Sequence, residues 1–223
     1  MREVQLLKDS PDRFELIQAM QNEWMPFIKS YEMVLVELES DFKILDLEWN
    51  ATYGYSPIEH IKTRLKNPTS LIKKIESRNI IFNQTEITKS IKDIAGIRIV
   101  TGFIEDVYMM LEHIKQREDL RITQIKDYIE NPKPSGYRSL HIIVESKVIL
   151  SDQVVWVPAE IQVRTLSMDF WASLEHKLQY KYKNSGEIPD IDKQLLKDVA
   201  MSSFENDIQM SLLRQKLLAI KYV

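Results

Sequence analysis

KDYIENPKPSGYRSLH, Lys126 to His141, read together with AEIQVR, Ala159 to Arg164, sets the reading of the whole chain. The first segment leaves a strand at Lys126 and Asp127 and crosses a loop stiffened by Pro132 and Pro134. It then turns at Gly136 and delivers Tyr137, Arg138 and His141 to the start of another strand. A loop this basic and aromatic suits a planar, anionic ligand. In the second segment, strict alternation puts Glu160, Gln162 and Arg164 on one strand face and Ala159, Ile161 and Val163 on the other. Three hydrogen-bonding side chains in a row on one face mark a candidate site.

Outward from these segments, GIRIV (96–100) reads as a buried strand, residues 105–118 as an amphipathic helix, and LRITQIKDY (120–128) as an alternating strand. HIIVES (141–146) and QVVWVPAEIQVR (153–164) are two more strands, the second with a proline, Pro158, that predicts an edge position or a bulge. LSMDFWASLEHKLQYKY (166–182) predicts a helix whose apolar face is Leu166, Phe170, Leu174 and Leu178. Upstream, Phe14, Ile17, Trp24, Phe27, Tyr31, Val34, Leu38, Phe42, Leu45 and Trp49 recur at helical steps, with Pro26 kinking that helix or starting a second one. Ser56-Pro57-Ile58-Glu59 reads as a capping box opening a helix that stops near Asn67-Pro68, and Thr69 or Ser70 caps the next one, SLIKKIESR. Residues from about 192 to 220 read as one or two further helices. The expected class is therefore α+β: a mixed sheet of about five strands covered by helices. Residues 1–55 and 183–223 form helical extensions around a core at 56–182.

A chain of 223 residues, 44% of them hydrophobic, can bury a substantial core. The net charge of −3 gives no overall field that would demand nucleic acid, yet six cations and one acid fall between Lys62 and Arg78. Such a patch on an acidic protein points to a discrete anionic ligand, against the plainer reading of a solvated helix face. The absence of cysteine excludes disulfides, thiolate metal sites and thiol catalysis. No apolar run approaches a membrane span and no leader pattern opens the chain, so a cytoplasmic location without membrane contact is expected. The four histidines show no metal-binding spacing, and Ser135 lacks the flanking glycines of a serine-hydrolase elbow. With five glycines, neither G-x-G-x-x-G nor G-x-x-x-x-G-K-[ST] can be written. A bound nucleotide would have its phosphates held by side chains.

Phosphoryl chemistry of that kind needs carboxylates for Mg²⁺, cations for the phosphate oxygens and a group that positions the nucleophile. Asp93 and Glu160 can supply the carboxylates if their strands are neighbours. Arg64, Lys66, Lys74, Arg98, Lys126, Lys133 and Arg138 are the candidate cations, and Tyr137 offers a ring for stacking on a base. The bland alternative for Asp93 and Arg98 is that they pair with each other.

The blocks IKTRLKNPTSLIKK, DIAGIRIV, KDYIENPKPSGYRSLH and AEIQVRTLSMDFWASLEHK, in this order over residues 56–182, resemble the synthetase domain of the RelA/SpoT homologue family. In length the chain resembles the small alarmone synthetases, with no room for a hydrolase domain. The resemblance implies transfer of pyrophosphate from ATP to the 3′-hydroxyl of GTP or GDP, with Mg²⁺ as cofactor and AMP released. It implies that Asp93 holds the metal and that Glu160 is the catalytic glutamate, touching metal and hydroxyl. Arg64 and Arg98 match the adenine sandwich, and Lys66, Ser70 and Lys74 the ATP phosphate contacts. Tyr137 matches the residue that stacks on guanine, with Lys126, Lys133, Arg138, His141, Gln162 and Arg164 around the acceptor nucleotide. Ser135 stands where many members have asparagine. A homotetramer is implied as well, through the terminal helices; a nucleic-acid partner is left open and not required. The alternatives are a same-fold transferase acting on tRNA or an adenosine nucleotide, and a non-catalytic nucleotide or RNA binder.

Overall fold

The computed structural model describes residues 24–182 and 189–220, with backbone alone for 179–182 and 218–220. Along the chain these form α1 (Met25–Tyr53), β1 (Ile58–Leu65), α2 (Pro68–Ser77), α3 (Gln84–Ser90), β2 (Ala95–Thr101), α4 (Ile104–Gln116), β3 (Leu120–Asp127), β4 (Leu140–Ile149), β5 (Val154–Thr165), α5 (Leu166–Tyr182) and α6 (Asp190–Ile220). The strands make one sheet in the order β1-β2-β5-β4-β3. Only β2 and β5 run parallel within it; the other neighbours are antiparallel. The α+β class with a mixed five-stranded sheet is as expected.

The core lies on one face of this sheet. Ala159, Ile161 and Val163 of β5 have no solvent exposure, and they share a cluster with Ile97 and Ile99 of β2, Ile142 of β4, Tyr31, Leu38 and Phe42 of α1, and Val107, Met110 and Ile114 of α4. The helical stripe predicted from Trp24 to Trp49 is thus the inward face of α1, while Phe14 and Ile17 lie outside the described residues. Pro26 stands in the first turn of α1. Gly54 closes it with φ 66°, a left-handed cap whose N–H donates to Asn50 O at 3.0 Å.

The segment predicted as a capped helix from Ser56 is the edge strand β1. Ile58, Ile61 and Leu65 are spaced three and four apart, which suits a helix stripe, and the pattern alone cannot exclude one. A β-bulge between Ile58 and His60 brings Ile58 to the buried side together with Ile61 and Leu65, and pairing with β2 supplies the backbone hydrogen bonds. Ser56 Oγ accepts from Ile58 N at 3.2 Å, a local turn and not a helix cap. The next helix is capped by Asn67, whose side chain accepts from Thr69 N at 2.9 Å; Thr69 and Ser70 do not cap it. Residues 84–90 form helix α3, with Asn83 as its cap.

Pro158 lies in the central strand without a bulge. Pairing with β2 begins at Ala159, so at Pro158 the strand has β4 alone as neighbour and no donor is missed. The predicted apolar face of α5 is also turned: Leu166, Phe170, Leu174 and Leu178 are 41–58% exposed, while Met168, Asp169, Trp171 and Ala172 face inward. The final segment is one helix, α6, packed on α5 and α4 of its own domain. Trp171 Nε1 donates to Leu196 O at 2.9 Å, Thr165 Oγ1 to Asp207 at 2.6 Å and Arg214 to the buried Asp106 at 2.7 Å.

Candidate active site

The face of the sheet opposite α1 carries the polar side chains, and the strand register aligns them. One row runs Lys62, Arg98, Gln162, His141, Lys126 across β1, β2, β5, β4 and β3; the next runs Arg64, Gly96, Glu160, Ile143, Gln124. Residues paired across a sheet point to the same side, so ten positions scattered over the sequence meet on one surface. Gly96 adds no side chain between Arg64 and Glu160, which leaves the floor open. Above it lies a cleft of about 620 Å³, within the ordinary range of small-molecule sites. Its walls are Lys62, Arg64 and Lys66 on one side, Tyr137 and Arg164 at the far end, and Ala172, Ser173 and His176 of α5.

Glu160 is held from both oxygens. Its Oε1 lies 3.0 Å from His141 Nδ1, and its Oε2 accepts from Gln162 Nε2 at 2.7 Å. A carboxylate offers no proton, so His141 donates from Nδ1. Tyr137 OH lies 2.7 Å from the other ring nitrogen, Nε2, and completes the line. Arg164 supplies both arms at their origin: its NH2 donates to Tyr137 OH at 2.6 Å and to Gln162 Oε1 at 2.9 Å. Two hydrogen-bonded chains thus link one guanidinium to one carboxylate. Burial alone would raise the Glu160 carboxyl, but the hydrogen bonds from His141 and Gln162 outweigh it and hold the group below the usual range. Burial pushes the Tyr137 phenol up, which keeps it a donor.

Asp93 stands in the turn before β2 and is gripped by two ammonium groups, Lys66 Nζ at 2.8 Å on Oδ2 and Lys74 Nζ at 2.7 Å on Oδ1. Burial raises its carboxyl, the lysines lower it, and the balance is about 2. Asp93 and Arg98 do not pair with each other. Arg98 NH1 donates instead to Asp169 at 2.9 Å, and Arg164 NH1 reaches the same oxygen at 3.3 Å. Asp169 offsets the repulsion between two guanidiniums on one sheet face. Arg98 Nε is buried with no hydrogen-bond partner among the described residues.

Of the residues predicted for the site, Arg64, Lys66, Asp93, Arg98, Tyr137, Glu160, Gln162 and Arg164 line the cleft. Lys74 joins through Asp93 and His141 through Glu160. Lys126 extends the cationic row onto β3 and is exposed. The Lys133 ammonium sits 4.7 Å from the Tyr128 ring centre and 4.6 Å from that of Tyr137. Ser70 is exposed on α2, and Arg138 is turned away, with its guanidinium 3.8 Å over the Phe204 ring. Sequence reading missed Lys62, Asp169, Ser173 and His176. Asp169, Ser173 and His176 recur at helical spacing on α5, but the more conspicuous apolar stripe beside them was read as the inward face.

Two ionised carboxylates ringed by cations on a mixed sheet make a phosphate-handling site built from side chains. The family model described as "Region found in RelA / SpoT proteins" matches residues 63–185. The GTP pyrophosphokinase YwaC of Bacillus subtilis (strain 168) is 44% identical over 179 residues, which is 80% of this chain and 83% of that one. Small alarmone synthetase 1 from Bacillus subtilis bound to its product pppGpp superposes with a TM-score of 0.79 at 34% identity, covering 86% of this chain and 97% of the other. The same synthetase bound to AMPCPP gives 0.73 at 30% identity, covering 87% and 97%. The chain belongs to the RelA/SpoT family.

Proposed function

We propose that this chain is a GTP pyrophosphokinase of the small alarmone synthetase type. It moves the β,γ-pyrophosphate of ATP to the 3′-hydroxyl of GTP or GDP and releases AMP. The observation that carries this reading is Glu160, kept ionised from both oxygens at the floor of a cation-lined cleft and within electrostatic reach of Asp93. In the reaction Glu160 accepts the proton of the 3′-hydroxyl. The freed O3′ bonds to the β-phosphorus, the bond from that phosphorus to the oxygen on the α-phosphorus breaks, and the electrons leave with AMP.

The remaining residues divide between two nucleotides. Arg64 and Arg98 take the adenine ring, and Lys66, Ser70 and Lys74 the ATP phosphates. Tyr137 receives guanine, with Lys126, Lys133, His141, Gln162 and Arg164 about the acceptor. The residues fit a hard divalent cation: Asp93 and Glu160 are both held ionised, and the charge of Asp93 is felt at Glu160. No group of three His, Asp or Glu side chains is gathered for a metal among the described residues, so substrate phosphates would complete the shell, as Mg²⁺ sites usually arrange. Mg²⁺ there would neutralise triphosphate charge and the charge developing in flight. The exposed stripe on α5 supports a homo-oligomer, a homotetramer in the family pattern. Among the described residues no helix is long and apolar enough to cross a membrane, and a cytoplasmic location follows from the reading as a nucleotide enzyme.

The test is product analysis with Mg²⁺ and ATP plus GTP, GDP, GMP or tRNA, each offered separately. A guanosine 3′-diphosphate with AMP is expected from GTP or GDP. Product from tRNA alone would move the assignment to another acceptor, and binding without turnover would sink it.

A further inference from the structure

We propose that α6 is a positioning element for the acceptor nucleotide and that Ala200 and Phe204 are its contact residues. The inference rests on the pyrophosphokinase reading for its substrate, but the contact itself is independent of it. The loop that presents Tyr137 is pinned to α6 on either side of that residue. On one side Gly136 adopts φ +89°, and a Cβ there would lie 2.6 Å from Ala200 Cβ and 3.5 Å from Lys197 Cα. Only a glycine lets the loop come this close to the helix. On the other side the Arg138 guanidinium stacks 3.8 Å over the Phe204 ring, and its NH1 donates to Ile129 O. Arg138 therefore acts through α6 and does not reach into the cleft. The helix is fastened at the same level, because Trp171 Nε1 bonds Leu196 O one turn before Ala200, and the Trp171 ring lies 6.4 Å from that of Tyr137.

The consequence is preorganisation. A free loop would lose conformational entropy each time it closed on a nucleotide, and docking on α6 removes that cost in advance. The donor nucleotide, bound on β1 and β2, gains nothing from the contact. Loss of the contact must therefore raise KM for the acceptor while leaving KM for ATP alone.

Phe204→Ala and Arg138→Lys break the stack from opposite sides, and Phe204→Tyr keeps the ring. With Mg²⁺, GDP varied at saturating ATP and the reverse, both breaking variants should raise KM for GDP about three- to tenfold, the range of one cation–π contact. KM for ATP should stay within about twofold, Phe204→Tyr should match the wild type, and the double variant should be no worse than either single one. Hydrogen exchange of the loop amides should quicken in Phe204→Ala without any substrate. A wild type with no turnover on ATP and GDP sinks the pyrophosphokinase reading, and the exchange result then decides the α6 contact by itself. Unchanged loop exchange, equal rises in both KM values, or a fall in KM for GDP overturns the proposal.

Discussion

Glu160 receives its two hydrogen bonds from chains that begin at a single guanidinium, and this concentrates the vulnerability of the site in two side chains. Glu160→Gln keeps the shape but removes the charge that, in the proposed reaction, takes the proton. Turnover should fall about 10²- to 10⁴-fold, with little change in Tm. Arg164 is 5% exposed at its side chain and serves Tyr137, Gln162, Ser139 and Asp169. Arg164→Met should cost roughly 3–5 kcal/mol in urea unfolding, because the partners of a buried charge are left unpaired. Asp93 sets a pH limit. Its folded value of about 2 lies below the ordinary 3.8, so its stabilising effect is fully present above that ordinary value and is lost as pH falls through 4 toward 2. Wild type should therefore lose stability in that window more steeply than Asp93→Asn, as acid unfolding monitored by circular dichroism will show.

At the level of elements, the sequence was informative wherever period and burial agree. Ala159, Ile161 and Val163 alternate with Glu160, Gln162 and Arg164, and β5 was legible with both of its faces. β1 was not, because Ile58, Ile61 and Leu65 satisfy a helical period and the bulge that reconciles them with a strand leaves no mark in the residues. As a strand, β1 sends Lys62 and Arg64 to the cleft with the same side-chain direction, where a helix would have spread them apart. Arg64→Ala should raise KM for ATP about tenfold and leave KM for GDP unchanged in steady-state kinetics, since the loss falls on the donor half. The face of α5 was misread for a related reason: Leu166, Phe170, Leu174 and Leu178 do form a stripe, but this chain leaves it to solvent. If a second copy covers it, Phe170→Asp with Leu174→Asp should shift light scattering to a smaller species. An unchanged mass would remove α5 from the interface.

Across the whole molecule, the sheet order does what no local pattern could announce. Asp93 and Glu160 lie 67 positions apart in the chain, yet parallel pairing of β2 with β5 seats Gly96 beside Glu160 and brings both carboxylates to one cleft. In the proposed assignment the donor half comes from β1, α2 and β2, the acceptor half from the loop before β4, and β5 stands between them as the shared floor. Helix α6, read from the sequence as part of a terminal extension, packs on its own domain and touches the loop that presents Tyr137. The measurement that bears most directly on this arrangement is ³¹P NMR of the products from ATP, GDP and Mg²⁺, with Glu160→Gln run in parallel. The account predicts one AMP for each guanosine carrying a new 3′-diphosphate, and no such product from the variant. Formation of ADP, or an undiminished rate in Glu160→Gln, would contradict it.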